Sequence, residues 1–369
     1  MSKIKIINDD AINIRNYLEP DSVDLVATDN PYGVFIMGAK WDVSLPDKKI
    51  WKACLETMKP GAFLLAMAAT RTYHRLACDL EDVGFQIKDC IVWGYSSGMP
   101  HGKNISKEID RKKGLERPVI GKRLHPTLKN KPNVKSRAYL VESLNSDENI
   151  ESWNITAPAC EESAMWEGWN TQLKPSWEPI VVAAKPLEGT YAENVMKYKI
   201  GGINIDECRI PFIDEDDMNA VASFEHFAGK NFGDSRFFSA NTGGKKQVNI
   251  HPGGRYPANL MYFDELFPGQ YDKFFMIPKP EGAEKKGLSH DTVKPYRLFH
   301  RLVRMFTPKP SVVKAPVVVL DPFAGSGTTG LACIDQDRDF IGFDIDKKTC
   351  DEAKKRLQTT KKPVDLFAR

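Results

Sequence analysis

Residues Asp321–Gly330 read DPFAGSGTTG, and the fold follows from what flanks them. Immediately before lies Val317-Val318-Val319-Leu320. Such a short β-branched and aliphatic run predicts a buried strand. Immediately after lies Leu331-Ala332-Cys333-Ile334, which predicts the start of a helix. A glycine-rich turn thus joins a strand to a helix. Glycines there let the backbone approach a ligand closely, and a helix N-terminus offers free N–H groups to a negative or electron-rich ligand group.

Gly325, Gly327 and Gly330 satisfy G-x-G-x-x-G, and Asp344 lies 19 residues beyond Gly325. That pattern fits a dinucleotide-binding turn, and it also fits a turn that only connects two elements. Two observations count against both. Asp321 closes the strand, and a carboxylate there suits a cationic or amine-bearing group better than a pyrophosphate. A dinucleotide fingerprint usually opens its domain, whereas this turn follows roughly three hundred residues. A P-loop is excluded, because no Gly-Lys-Ser/Thr follows the glycines.

Working outward, Leu298, Leu302 and Met305 mark a helix before the turn, its apolar face widened by Phe299, Val303 and Phe306. Beyond the turn, Phe340–Phe343 predicts a strand ending at Asp344, and Asp346 can cap a last helix that buries Cys350, Ala353 and Leu357. The N-terminal hundred residues show the same rhythm. Ile4 and Ile6, Asp24–Ala27, Phe63–Ala66 and Phe85–Trp93 predict strands. Helices are predicted at Ala11, Ile14 and Leu18, at Ile50, Cys54 and Met58 ending in Lys59-Pro60-Gly61, and at Tyr73–Val83 closed by Gly84. Strands alternating with helices predict a parallel α/β sheet.

From Gly94 to about Pro257 the periodicity is lost, and Pro179–Ala184 is the only strand-like piece recovered. Lys103–Arg137 is strongly basic, with Lys107, Arg111, Lys112, Lys113, Arg117, Lys122, Arg123, Lys129, Lys131, Lys135 and Arg137 facing few acids. Trp153, Trp166, Trp169 and Trp177 follow, and core of this region is favoured for them over base stacking. His101, His125 and His251 are isolated loop histidines without an expected catalytic role. The expected organisation is a first half over residues 1–100, an insertion over 101–256 that returns to the core near 174–186, and a second half over 257–369.

Composition narrows the class. With 41% hydrophobic and 27% charged residues the chain reads as an ordinary globular protein, and a net charge of +3 does not by itself announce a nucleic-acid binder. The seven cysteines form no C-x-x-C pair, so neither a zinc site nor a disulfide framework is expected. MSKIKIINDD carries no apolar signal region and no apolar run reaches spanning length, so a cytoplasmic protein is expected.

A second constellation, Thr28-Asp29-Asn30-Pro31-Tyr32-Gly33, sits at the carboxyl end of a predicted parallel strand, where open α/β sheets bind ligands. A carboxylate can accept a hydrogen bond from an exocyclic amine. A backbone carbonyl beside a proline can accept a second, and an aromatic ring can stack on a planar base. Taken alone, such a tetrad also serves as a plain turn. Trp41-Asp42 follows closely and either shapes this pocket or simply packs.

The two constellations together resemble the DNA amino-methyltransferases, which methylate adenine N6 or cytosine N4 with S-adenosylmethionine. DPFAGSGTTG is similar to their cofactor motif and Asp29-Asn30-Pro31-Tyr32 to their Asp-Pro-Pro-Tyr catalytic motif. The catalytic motif precedes the cofactor motif, which is the permuted order of the β class. Asn8-Asp9-Asp10-Ala11, His290-Asp291-Thr292-Val293-Lys294-Pro295 and Phe340–Asp344 resemble further elements of the family. Trp93-Gly94-Tyr95, Lys174–Ile180 and Gly201–Asp206 resemble phage- and prophage-type members. Asn30 and Asp291 each stand where the family pattern has a proline.

The resemblance implies a Rossmann-like S-adenosylmethionine-dependent methyltransferase fold, permuted, with a long target-recognition insertion. It implies that Asp29 and the Asn30 carbonyl hold the amine of a flipped adenine, with Pro31 fixing the loop and Tyr32 stacking on the base. On the cofactor side it implies Asp321 at the methionine amino group. Phe323, Gly325, Ser326, Gly327 and Thr328 would line the pocket, Asp344 would sit at the ribose, Asp10 near the adenine, and Thr292 or Lys294 at the carboxylate. The partner expected is double-stranded DNA. A homodimer is compatible with the sequence, and a companion nuclease is left open. The alternatives are N4-cytosine methylation, methylation of RNA, a catalytically weak DNA-binding member of the fold, and an NAD-dependent oxidoreductase.

Overall fold

The structure, a computed structural model, describes residues 2–35, 39–95, 102–124, 152–212, 214–218, 251–262, 275–276 and 293–359. In chain order it begins β1 Ile4–Asn8, β2 Val23–Thr28, α1 Lys48–Thr57, β3 Met58–Met67, α2 Tyr73–Val83 and β4 Gln86–Gly94. Next come α3 Ile105–Lys112, β5 Val119–Leu124, β6 Ser152–Thr156 and α4 Glu161–Met165. Then follow β7 Trp177–Ala184, α5 Tyr191–Tyr198, β8 Leu260–Tyr262 and β9 Phe275–Met276. The chain continues through α6 Tyr296–Phe306, α7 Pro310–Val313, β10 Val318–Asp321, α8 Thr328–Asp335, β11 Asp339–Asp344 and α9 Lys347–Thr359. One compact unit comprises Met1–Ser96 with Ser176–Arg369, and a second comprises Ser97–Pro175.

Among the described residues, the first unit is built on a nine-stranded sheet in the order β1-β11-β10-β2-β3-β7-β4-β8-β9. Alternation along its central strands feeds two apolar layers, as the two-residue period of a strand requires. Leu25, Ala27, Phe63 and Leu65 point to one face, where Leu298, Phe299, Leu302 and Phe306 of α6 cover them. Val26, Leu64 and Ala66 point to the other, under Trp51 and Cys54 of α1 and Leu76 and Leu80 of α2. β2 is buried along its whole length, the signature of a parallel strand covered on both sides. Each large aliphatic side chain so buried contributes about 1.5–3 kcal/mol.

Two sequence expectations are corrected. The sheet is mixed, because β7 lies antiparallel between β3 and β4 while the other neighbouring strands described in this sheet run parallel. An apolar run reports that a strand is buried, and carries nothing about the direction of its neighbours. The helix expected to end at Lys59-Pro60-Gly61 closes earlier, at Thr57, whose hydroxyl donates to the Cys54 carbonyl at 2.9 Å. Met58 already belongs to β3, and the pairing with β2 slips between Val23 and Leu25, so Lys59–Ala62 sit in an irregular stretch of strand. Long-range bonds hold that stretch: Asn194 donates to the Pro60 carbonyl at 2.9 Å, and the Gly61 N–H donates to the Lys185 carbonyl at 3.0 Å.

The second unit pairs β5 with β6 antiparallel and adds α3 and α4. Its buried centre, among the described residues, is polar: Ser106, Asp110 and Ser163. The Arg117 guanidinium joins this centre, donating to Asp110 at 2.6 Å and to Ser106 at 2.8 Å. Two of the tryptophans are therefore not core here. Trp166 is 42% and Trp169 59% exposed, their rings meeting edge to face at 5.1 Å. Trp177 lies in β7 of the first unit, and the Trp153 side chain falls outside the described residues. Part of the basic run is neutralised locally, Arg111 by Glu108 and Lys113 by Glu162. Lys129, Lys131, Lys135, Arg137, His101 and His125 lie outside the described residues. No described helix is long and apolar enough to cross a membrane.

Candidate active site

Strand order places the two constellations side by side. β10 and β2 are parallel neighbours, with Val319 opposite Leu25 and Leu320 opposite Val26. The glycine turn leaves the carboxyl end of one, and Asp29–Tyr32 the carboxyl end of the other. The chain then diverges. After β10 it runs through α8 to β11 on one side, and after β2 through α1 to β3 on the other. This is a topological switch point, where open α/β sheets leave a crevice.

The crevice is a cavity of about 570 Å³. Asp10, Asp29, Asn30, Pro31, Tyr32, Lys294, Asp321, Phe323, Gly325, Ser326, Thr328 and Asp344 all line it. Gly327 does not reach the wall; it caps α8 in the left-handed region at φ 77°, a conformation that favours glycine. Thr292 lies outside the described residues. Seven aspartates (Asp9, Asp10, Asp29, Asp42, Asp321, Asp344 and Asp346) and one lysine, Lys294, contribute to the lining. Such a wall attracts a cation and repels a pyrophosphate.

On the glycine-turn side, Asp321 is buried and fixed by two donors. The Thr329 hydroxyl meets it at 2.7 Å and the Phe323 N–H at 3.1 Å. Burial lifts its pKa to about 6 against the pull of these bonds. Asp344 accepts the Gly325 N–H at 3.1 Å and the Asp346 N–H at 2.9 Å, which aims its carboxylate across the turn. Asp10 caps the short helix after β1 by accepting the Ile12 N–H at 3.0 Å. Phe323 meets Trp51 edge to face at 5.9 Å, supplying the aromatic part of the wall.

On the catalytic-loop side, Asp42 organises the backbone. Its buried carboxylate accepts the N–H groups of Tyr32 at 2.6 Å, Gly33 at 2.8 Å and Val34 at 3.3 Å. Gly33 adopts φ 65°, and a Cβ there would lie 2.8 Å from the Leu45 backbone nitrogen, so the loop's tight turn needs glycine. Asn30 is buried, and its amide donates to the Pro31 carbonyl at 2.9 Å. A side-chain tie thus restrains the loop where the family pattern has a proline.

The Tyr32 hydroxyl lies 2.8 Å from Asp29 and 2.8 Å from Glu178 of β7. Lys294 donates to Glu178 at 2.8 Å, stands 3.3 Å from Asp29, and lies 5.0 Å above the Tyr32 ring. Lys294 thus pairs with Asp29 of the loop and Glu178 of β7, which the sequence alone did not indicate. Burial raises the Asp29 carboxyl; Lys294 opposes the rise and Glu178 adds to it. Burial would raise Glu178 too, but the Lys294 ammonium outweighs it and holds Glu178 below its usual range. Burial would lower Lys294, and the two carboxylates more than reverse it.

Sequence reasoning missed three contributors. Glu178 lies within the Lys174–Ile180 segment, and it enters the site because β7 inserts beside β3. Arg356 of α9 lies 3.0 Å from both the carbonyl and the hydroxyl of Ser326, bracing the glycine turn from behind. Asn8 donates to the carbonyls of Asp344 at 3.0 Å and Ile345 at 2.9 Å, tying β1 to the cofactor-side wall. Each acts across the fold, at separations no local pattern spans.

A family model described as DNA methylase, covering N6 and N4 amino-methyltransferases, matches residues 23–355. The chain belongs to this N6/N4 DNA methylase family. Among its relatives, the Type II methyltransferase M.HindIII of Haemophilus influenzae is 22% identical over 290 residues, covering 78% of this chain and 60% of that protein. The chain therefore spans less than two thirds of that relative's length. Two solved structures are similar over most of their length. An M1.HpyAVI–SAM complex is 18% identical with a TM-score of 0.44, covering 96% of this chain and 98% of that one. PvuII DNA methyltransferase, described as cytosine-N4-specific, is 14% identical with a TM-score of 0.46, covering 99% and 89%.

Proposed function

We propose that this protein transfers the methyl group of S-adenosylmethionine to the exocyclic N6 of an adenine flipped out of double-stranded DNA. One observation carries the reading: Asp29 and Asp321 face the same acidic cavity from adjacent parallel strands. Bound S-adenosylmethionine supplies an electrophilic methyl group on a positively charged sulfur. The residues present suit it. Asp321 receives the ammonium, Asp344 the ribose hydroxyls, Asp10 the adenine side, and Phe323 with the turn from Gly325 to Thr328 encloses it.

Asp29 and the Asn30 carbonyl accept the two amine hydrogens of the target base. An aryl amine is a poor nucleophile because its lone pair is delocalised into the ring. Holding both hydrogens draws the nitrogen toward tetrahedral geometry and aims the lone pair at the methyl group. Positioning and electrostatics carry the rate, with no covalent enzyme intermediate. Tyr32 stacks on the flipped base, and Pro31 limits the loop's freedom. Residues 101–256, apart from the return to the core near 174–186, serve target recognition, their basic residues meeting phosphates, so binding weakens with salt.

Cytosine N4 is the second reading, because a carboxylate and a carbonyl grip either exocyclic amine. Incubation with labelled S-adenosylmethionine and unmethylated DNA, followed by digestion to nucleosides, tests both. N6-methyladenine is expected. N4-methylcytosine would move the assignment to the second reading, and absence of label on DNA would leave a DNA-binding protein without transferase activity.

A further inference from the structure

We propose that Glu178 is a positioning residue for methyl transfer, acting through the Tyr32 hydroxyl and the Lys294 ammonium to set the charge and aim of Asp29. The inference rests on the reading of Asp29 as the residue that grips the target amine, and it adds a residue outside the catalytic tetrad.

The geometry begins with hydrogen counting. Tyr32 has one hydroxyl hydrogen, and carboxylate oxygens of Asp29 and Glu178 both lie 2.8 Å from its oxygen. One contact takes that hydrogen. The other is a hydrogen bond only if a carboxyl group supplies a second proton, since two bare acceptor oxygens repel at that distance. The three side chains therefore share one proton more than two carboxylates and a phenol would carry in water. Lys294 balances the remaining carboxylate charge, 2.8 Å from Glu178 and 3.3 Å from Asp29.

The groups facing Asp29 come from three elements. Tyr32 lies on its own loop, Glu178 on β7, and Lys294 just ahead of α6. Asp321 adds a negative charge across the cavity, and Tyr95 bonds to Glu178 from behind. Burial favours the neutral form of Asp29, while Lys294 holds Glu178 ionised. The shared proton accordingly rests toward Asp29, and Asp29 must release it before it can accept an amine hydrogen. Glu178 governs that release in three ways: by its charge, by its claim on Lys294, and by its claim on the Tyr32 hydroxyl. All three act in the same direction, since removing the Glu178 charge frees Lys294 and Tyr32 to serve an ionised Asp29.

The test compares wild type with Glu178→Gln, which keeps the shape and removes the charge. S-adenosylmethionine affinity, measured by direct titration, is expected to stay within about twofold, and kcat for DNA methylation on its pH plateau to fall about tenfold, because Tyr32 and Lys294, released from Glu178, then compete with the target amine for the Asp29 oxygens. The acid limb of the kcat profile is expected to move down by about one pH unit. Superimposable acid limbs, or a loss of cofactor affinity that matches the loss of rate, overturn the proposal. A second measurement needs no turnover. The carboxyl carbon of Asp29, assigned by Asp29→Asn, is titrated by NMR in both proteins, and its midpoint is expected to fall in Glu178→Gln. An unchanged midpoint overturns the coupling even where wild type methylates DNA. Wild type that places no label on DNA sinks the transferase reading, and the NMR titration then judges the coupling by itself.

Discussion

Asp42 accepts the backbone N–H of Tyr32 at 2.6 Å and, through the same oxygen, that of Gly33 at 2.8 Å. A single buried carboxylate thus shapes the loop that carries the catalytic tetrad. Asp42→Asn keeps the volume and turns one acceptor into a donor facing backbone N–H groups. Leaving such groups unsatisfied costs about 1–3 kcal/mol. The expected result is a fall in kcat of at least tenfold and a lower melting temperature, with cofactor affinity little changed. Steady-state kinetics beside a thermal melt check it, and unaltered kcat would remove Asp42 from the loop's organisation.

Asp29→Ala removes the acceptor for the target amine. Methyl transfer to DNA is expected to vanish, while S-adenosylmethionine binding by calorimetry persists. In the proposed arrangement the cofactor is held by the opposite wall, at Asp321 and Asp344. Retained transfer in this variant would remove Asp29 from the mechanism.

Asp321 gives the site a pH dependence of two opposite signs. Its folded pKa of about 6 stands above the ordinary value of 3.8. The folded state therefore binds its proton more tightly than the unfolded state does. Stability from this group is full below the unfolded value and is lost as pH rises through about 6. Affinity for a cationic ligand runs the other way, since only the ionised carboxylate attracts it. Denaturant melts of the ligand-free protein, read as the difference from Asp321→Asn, should show the wild type losing relative stability from about pH 4 to pH 6, and cofactor titrations should show rising affinity over the same range. Asp321→Asn should flatten the affinity curve. Curves that keep their slopes would place the titration elsewhere.

Asn30 is expected to substitute functionally for the proline of the family pattern, through its bond to the Pro31 carbonyl. Asn30→Ala should lower kcat a few-fold by loosening the loop. Asn30→Asp should cost more, because it buries a second negative charge beside Asp29. An Asp variant that outperforms the Ala variant in parallel assays would contradict this ranking.

The glycine turn, its flanking strand and helix, and the catalytic tetrad were legible because each is a local pattern bounded by strong punctuation. So was β7, whose run Ile180–Ala184 is continuously apolar. The strands' neighbours were not legible, and with them went Glu178, which lies 146 residues from Tyr32 along the chain. Lys294 was noticed, but its facing partners depend on how β7 inserts. Short polar helices such as α3 and α4 escaped because they bury little apolar surface, and the second unit is held by a guanidinium network that leaves no hydrophobic period to detect. Trp41-Asp42 was singled out for its position, and only the fold shows that Asp42 organises backbone while Trp41 lies on the cavity wall.

The pairing of β1 with β11 has a consequence for biosynthesis. Asn8 and Asp344, 336 residues apart, are register partners at one edge of the sheet. A ribosome delivers the Asp29–Tyr32 loop well before the glycine turn, and the wall between Asp10 and Asp344 closes only once β11 has emerged and found β1. Until then β1 has no sheet edge to join, and Asp10 and Asp344 belong to separate pieces of chain. Ligand-binding capacity therefore arrives only with the completed sheet.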